Sequence, residues 1–428
     1  MASVLVLCAV ILRTADATPF SSADARGVVE KSIDLISRNY VFPEARAGIV
    51  ATLKANEAAG RYDVSDAGTL AERLSPDLAA AGDDKHLWIK FDPAHNAALR
   101  KPTSAGGSDD FSVQQGRAHN QGYEELRVLP GNVRYLNLTA FYWNGAVTAS
   151  TVGDCMRFLS GGDAVIIDLR ENGGGSGQAV QALVSYFLPP DHRKLMAFHQ
   201  GADGAGFSTH VLGELSGPRM VGMPLYVLIS SATGSAAEEF AYHVVMFKLG
   251  TLVGRTTAGA ANNDTLYPVD ENFVLSVSTG RPEHPISHAN WQGAGVSPDV
   301  PVLREHALDQ AHLLALKKLS ARPGTDPTRY DWEIAGLAGK IAPPNIDALT
   351  LVAYAGSYGV RTIAVDKGSL VFQRENNPPT TLTPIASDLF AFANTEHVRL
   401  RFRRSADTIV GFDLISDDGQ VIPIDRSS

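Results

Sequence analysis

Cysteine is almost missing from this chain: 428 residues hold two, Cys8 and Cys155. Cys8 lies in an N-terminal apolar run; if that run is removed as a leader, Cys155 stands alone and no intrachain disulfide can form. Without a local activating signature, Cys155 reads as a buried, inert thiol. Also absent are C-x-x-C and H-E-x-x-H, so no metal site of familiar ligand spacing is signalled. Basic charge is in deficit, with 37 Lys and Arg against 46 Asp and Glu and a formal net charge of −9. No Lys/Arg cluster offsets this, which argues against a nucleic-acid partner. Long hydrophobic runs are lacking as well. Val4–Leu12 is too short to span a membrane. It suits the apolar region of a signal peptide, with Ala15-Asp16-Ala17 as a cleavage site before Thr18, although no Lys or Arg precedes it. The expectation is a signal peptide over 1–17 and a periplasmic or secreted protein.

What is present is an ordinary globular balance, 44% hydrophobic and 19% charged, over a length that predicts two or three domains. From about 20 to 80 the pattern is helical: Val29, Ile33 and Ile36 share a face, and Leu70, Leu74 and Leu78 recur behind an N-cap at Ser65 or Asp66. "DDKHLWIKFDP" switches to a strand-like period and ends at Pro93. The stretch 96–122 reads as a Gly-, Ser- and Asn-rich loop or lid. Then strands alternate with helices: "VRYLNLTAF", a helix near 147–159, "DAVIIDLR" as a strand buried on both faces, "QAVQALVSYFL", "MPLYVLISS", a further helix, and "GTLVGRTTAG". That alternation predicts an α/β core. A charged amphipathic helix near 303–320 closes it. The segment 321–348 reads as a linker with at most one short helix. Hairpins about Asp-Lys-Gly and Asp-Asp-Gly turns make the last eighty residues an all-β appendage. The predicted division is a helical domain over 18–95, an α/β core over 96–320, a linker over 321–348 and a β domain over 349–428.

Two turns carry the candidate chemistry. "SATGSAAEEFAY" follows a buried strand and leaves Ser235 at the mouth of a helix. As a helix cap it needs no further explanation; as a nucleophile it sits where several hydrolase folds present one. "DLRENGGG" places three glycines between a strand and a helix, which bares backbone N–H groups that bind an anion, either a phosphate or an oxyanion. The dinucleotide fingerprint fails here: only Gly175-x-Gly177 fits, Val180 stands at the third position, and no Walker lysine exists.

Taken in order, "DAVIIDLRENGGG", "SATGSAAEEFAY", "GTLVGRTTAGAAN" and "NWQGAGVSPDV" resemble the C-terminal processing (tail-specific) serine peptidase family. "NYVFPE" and "DDKHLWIKF" resemble the helical N-terminal domain of its interphotoreceptor retinoid-binding-protein-like and tricorn-like branch. The resemblance covers roughly residues 25–303. It implies a ClpP/crotonase-like β-α superfamily core beside a helical domain, with no PDZ module, for which the 96–130 gap has no room. It implies Ser235 as nucleophile, Glu238 as its acidic neighbour, and backbone N–H groups of Gly173 or Gly174 and of Ala236 as the oxyanion hole.

The chain departs from that family at the general base. Ala260 stands in "GRTTAGAA" where tail-specific members carry lysine, and Lys248 lies thirteen residues beyond Ser235 on the same predicted helix, roughly 20 Å along its axis. The resemblance then points to His86, at the D-x-H-L position of the related branches, as the base; a neutral imidazole can take a serine proton near neutral pH. Related branches carry Glu where this chain has Gln292, an amide that can hydrogen-bond but cannot stabilise an imidazolium as a carboxylate does. Asp83 or Asp84 could compensate. His284 and His288 read as surface-loop residues. The expected activity is that of a serine endopeptidase acting through an acyl-enzyme on peptide or unfolded protein, with no metal or organic cofactor and with self-association left open. The alternative is a hydrophobic-ligand or peptide-binding protein with a weak or inactive site.

Overall fold

The computed structural model describes residues 20–101, 110–201, 205–326 and 328–427. The signal-peptide reading of 1–17 and the middle of the 96–122 loop lie outside these residues. The chain divides into two compact units, each continuous in space but not in sequence.

The first unit takes in the described residues up to 111 together with those within 198–207 and 262–282. It therefore runs past residue 95, where the sequence places a boundary, and it borrows two later segments. Three helices, Ser22–Asn39, Pro43–Ala58 and Ala67–Gly82, form its bundle. Ser21 and Asp24 close a reciprocal capping box at the first, and the Asp66 carboxylate accepts the Thr69 N–H at the third. The strand Trp88–Phe91 follows, as expected. It ends at Phe91, just short of Pro93, and Pro93 has a second role that the sequence did not signal. It opens a short helix, Pro93–Leu99, because a helix's first N–H needs no intrahelical partner and Asp92 caps it. With a second helix at Asp110–Ala118, the region read as loop is partly helical.

Trp88–Phe91 pairs antiparallel with Phe273–Glu283, which in turn pairs with Asn263–Val269. Phe273, Leu275 and Val277 from this hairpin share one buried cluster with Ile36, Leu53, Leu74 and Leu87. Each such side chain stabilises by about 1.5–3 kcal/mol relative to exposure, so a helical bundle with too little apolar face of its own is completed by a hairpin from far along the chain.

The second unit carries a six-stranded sheet in the order Val300–Pro301, Thr251–Gly254, Leu225–Ile229, Ala164–Asp168, Val133–Leu138, Tyr123–Leu129. All neighbours are parallel except the last pair. Ala164–Asp168 and Leu225–Ile229 are buried along their whole length. Alternate residues (Ala164, Ile166, Tyr226, Leu228) pack under the helix Ala307–Ser320, and the intervening Val165, Ile167 and Val227 are buried on the opposite face. The helices Ala146–Ser160, Gly177–Ser185 and Ala236–Met246 connect the parallel strands. Cys155 is buried in the first of them, and desolvation pushes its thiol up to about 11, in keeping with an inert role.

The segment 321–348 is more than a linker: it holds a 14-residue helix, Thr328–Ile341, packed against Ala307–Ser320. The C-terminal appendage is all β, an eight-stranded antiparallel meander from Gly356–Tyr358 to Val421–Asp425. The Ser427 N–H donates to the Ser357 carbonyl at 2.8 Å and so draws the last strand toward the first, leaving the sheet curled into a nearly closed barrel.

Candidate active site

Three neighbouring parallel strands end side by side, and the turns that follow them, 169–176, 230–235 and 255–261, converge at their carboxyl ends. This is the place where α/β sheets put their sites. Hydroxyls stitch the turns together. Ser230 Oγ donates to the Arg170 carbonyl at 2.6 Å, and Thr233 Oγ1 donates to the Leu169 carbonyl at 2.7 Å. Ser230 and Thr233 thus clamp the turn 230–234 onto its neighbour.

The Ser235 backbone stands at φ 50 and ψ −121, a left-handed setting that is uncommon and costly for a residue with a Cβ. Its N–H donates to Glu238 Oε2 at 2.9 Å. Glu238 is fully buried, and its carboxylate accepts three further bonds: from the Ala260 N–H at 2.8 Å, the Gly259 N–H at 2.6 Å and the Thr257 hydroxyl at 2.5 Å. One carboxylate therefore ties the serine corner to the turn 257–260. Glu238 has no face left for a substrate.

The glycines divide by role. A Cβ on Gly174 (φ 116) would stand 2.6 Å from the Ser235 Cβ, and one on Gly175 (φ 136) would stand 2.3 Å from the Phe141 carbonyl oxygen. Both are glycines because the chains approach too closely for anything larger. Gly173 is different: nothing lies within 4 Å of the position its Cβ would take, and the residue is exposed. The Gly174 N–H is turned inward onto Asn172 Oδ1 at 2.9 Å, so it cannot serve as an oxyanion donor in this arrangement. Among the described residues no acceptor meets the N–H of Gly173 or of Ala236. The two turns touch directly, with the Gly234 N–H donating to the Asn172 carbonyl at 3.0 Å.

Asn172 was not singled out in the sequence. Fully buried, it donates through Nδ2 to the Leu138 carbonyl at 3.0 Å and holds both glycine turns. Its only signal was its place before three glycines. Ser230, Thr233 and Thr257 were also missed, since they act on backbone groups that only the fold brings near.

Ala260, at the position of the family lysine, is buried with its N–H on Glu238 and its carbonyl accepting the Trp291 indole N–H at 3.2 Å. Gln292 Oε1 accepts the Ala261 N–H at 2.8 Å, so this amide supports the same turn. Lys248 is exposed and lies beyond the end of the helix at Met246, rather than on it as the periodicity suggested.

His86 belongs to the first unit. It is buried, at 8% exposure, and its Nδ1 is buried without a hydrogen-bond partner. Its backbone is fixed from both sides: the N–H donates to Asp84 Oδ1 at 2.9 Å and the carbonyl accepts the Ser276 hydroxyl at 2.5 Å. The other Asp84 oxygen accepts from Tyr40 and from Asn262. Asp84 thus fixes the loop that carries the imidazole.

His288 is exposed, as expected, but His284 is not on the surface. It is fully buried against the rings of His243, Phe247 and Tyr242, and its Nδ1 accepts the Ile286 N–H at 3.2 Å. Desolvation, with His243 beside it, pushes its pKa down to about 3. No group of three or more metal-ligating side chains occurs among the described residues.

Two family models match the chain. Peptidase family S41 matches residues 132–302, and the N-terminal domain of peptidase S41 in eukaryotic IRBP matches residues 10–119. The chain belongs to peptidase family S41. The first match spans all three convergent turns, and the second spans the His86 loop. This S41 chain is 30% identical over 173 residues to a carboxyl-terminal-processing protease of Synechocystis, covering 40% of the chain and 38% of the relative. It is 27% identical over 169 residues to the chloroplastic carboxyl-terminal-processing peptidase 1 of Arabidopsis thaliana, covering 39% and 33%. The chain thus spans well under half the length of these curated relatives. Among solved structures it is similar to a lipoprotein from Streptococcus agalactiae (TM-score 0.47, 14% identity, 71% of this chain and 98% of that one). The photosystem II D1 C-terminal processing protease is also similar (TM-score 0.43, 18% identity, 71% and 98%). No helix among the described residues is long and apolar enough to cross a membrane.

Proposed function

We propose that this protein is a serine peptidase that cleaves peptide bonds through an acyl-enzyme on Ser235. One observation carries the reading: a serine held at positive φ on a strand–helix corner, flanked by N–H groups of Gly173 and Ala236 that meet no acceptor among the described residues. In this reading Ser235 Oγ adds to the scissile carbonyl, its proton passes to a base, and the tetrahedral oxyanion is met by those two amides. Collapse expels the amine, which takes the proton back, and water then hydrolyses the ester by the same route.

We assign the base to His86. The support is its buried Nδ1 without a partner, the occupation of the family lysine's place by Ala260, and the exposure of Lys248. Glu238 and Gln292 are positioning residues: one holds the serine corner on 257–260, the other holds Ala261. The substrate is a peptide or an unfolded protein, and the core fold is of the ClpP/crotonase-like kind. Export is part of the proposal, resting on the run Val4–Leu12 and the Ala15-Asp16-Ala17 site.

A second reading, a peptide- or hydrophobic-ligand-binding protein with an inactive site, is favoured by Gln292, a neutral amide whose oxygen is already occupied by Ala261. Fluorophosphonate labelling separates the two. The wild type should label at Ser235, Ser235→Ala should not label, and His86→Ala should label about 10²–10⁴-fold more slowly. Labelling of His86→Ala at the wild-type rate would remove the histidine from the mechanism; an unlabelled wild type would favour the binding reading.

A further inference from the structure

The C-terminal barrel carries a cavity that the peptidase reading does not use. It measures about 740 Å³ and is lined by Arg361, Phe372, Arg374, Phe392, Val398 and Leu414 among others. Its volume falls in the range of small-molecule sites, about 300–1,000 Å³. Eight-stranded barrels either fill their interior with side chains or leave room for one small ligand. Here the interior is filled at one end only. There Tyr354 is fully buried, stacks on Phe402 and reaches the Ser387 carbonyl and Asp388 with its hydroxyl. At the other end the core opens, and Phe372, Phe392 and Leu414 are only partly buried.

The charge at the open end needs an explanation. Arg361 and Arg374 are direct cross-strand partners, and Ile363 opposite Phe372 is the next pair but one in the same register. Side chains alternate along a strand, so both arginines lie on the core face with Ile363 and Phe372 rather than on the outer face. Like charges directly opposed in a sheet are destabilising. Among the described residues neither arginine meets a carboxylate, and no acidic residue lines the cavity. Arg361 Nε is buried without any hydrogen-bond partner. A buried, unsatisfied guanidinium nitrogen at the rim of an apolar chamber is costly unless a ligand completes it.

We propose that the barrel binds an amphiphilic monocarboxylate, with the carboxylate between Arg361 and Arg374 and an apolar tail on Phe372, Phe392, Val398 and Leu414. A guanidinium pair matches a carboxylate's two oxygens in geometry as well as in charge. The proposal stands whether or not Ser235 is a nucleophile.

The test is isothermal titration of the full chain with decanoate, decan-1-ol and decylammonium. Decanoate should bind at least tenfold tighter than the alcohol, and the ammonium should bind weakest. Arg361→Gln and Arg374→Gln should each weaken decanoate binding at least tenfold. Each should also raise the melting temperature of the unliganded protein, because the opposed charges are gone; a merely structural arginine would lower it. Equal affinity for decanoate and decan-1-ol, or undiminished decanoate binding in the double variant Arg361→Gln/Arg374→Gln, would overturn the proposal, as would no detectable binding of decanoate.

Discussion

Replacing Glu238 by Gln changes almost no volume and removes one acceptor oxygen from a group that receives four donors. If the new NH₂ takes the place of Oε2, the N–H groups of Ser235 and Ala260 face a donor. If it takes the place of Oε1, it faces the Gly259 N–H and the Thr257 hydroxyl. The second orientation is cheaper. The Thr257 oxygen already accepts the Val296 N–H at 2.7 Å, and it can accept once more if its own proton turns away. At least one buried backbone N–H is then orphaned, at about 1–3 kcal/mol, and the remaining bonds lose their charge assistance. The expected loss is about 2–5 kcal/mol, a large fraction of a domain's stability. Urea unfolding followed by tryptophan fluorescence measures it, with Trp291 as a nearby reporter because its indole donates to Ala260. Labelling of Ser235 should fall with it, since the corner and the turn 257–260 share this one anchor. A Glu238→Gln protein that loses under about 0.5 kcal/mol and still labels at the wild-type rate would refute the assignment of Glu238 as the anchor.

Ser235→Gly should be more stable than Ser235→Ala by about 1 kcal/mol, because glycine alone relieves the positive φ; equal urea midpoints for the two would show that the corner is unstrained. Gly174→Ala should abolish labelling and destabilise by about 1–3 kcal/mol, since its Cβ would meet the Ser235 Cβ and its φ is positive; a crystal structure or labelling assay showing an unmoved, reactive serine would contradict this. His284 is neutral in the folded protein, with a pKa of about 3 against an ordinary value of about 6.5. Its contribution to stability is therefore present above about pH 6.5 and lost as pH falls from there toward 3, reaching about 2 kcal/mol at pH 5. His284→Phe should flatten the difference between urea midpoints at pH 7 and pH 5, and an unchanged difference would refute it.

The alternation of buried strand and amphipathic helix over 164–254 was legible because both periods are local and each strand is apolar along its length. The corner at Ser235 was legible for the same reason, as a tight turn between two strong signals. What could not be read depends on partners far along the chain. Phe273–Glu283 went unrecognised as a strand because its register is set by Trp88–Phe91. Thr328–Ile341 looked like linker because Pro and Gly flank it and its packing partner is another helix. Pro93 both closes the strand stretch and opens a helix, and the second role depends on the Asp92 cap. His284 sits among Pro, Ser and His, a surface-like context, and is buried only because three rings from the Ser235 helix and its C-terminal cap close over it. Of the site, the Ser235 corner was visible, whereas the residues that hold it, Asn172, Thr233 and Thr257, satisfy backbone groups whose positions exist only once the turns have met.

The split of the first unit over three chain segments puts an order on events during synthesis. Its helices leave the ribosome first, yet the hairpin that shares their core ends at residue 282. Until then Trp88–Phe91 is a strand with an unpaired edge, and the apolar faces of the bundle await Phe273, Leu275 and Val277. Closing a loop of that length slows folding more than it weakens the product. The His86 loop inherits the delay, because Ser276 and Asn262, which fix it, arrive with the hairpin. A nascent chain therefore carries His86 for about 190 residues before the groups that order its loop exist.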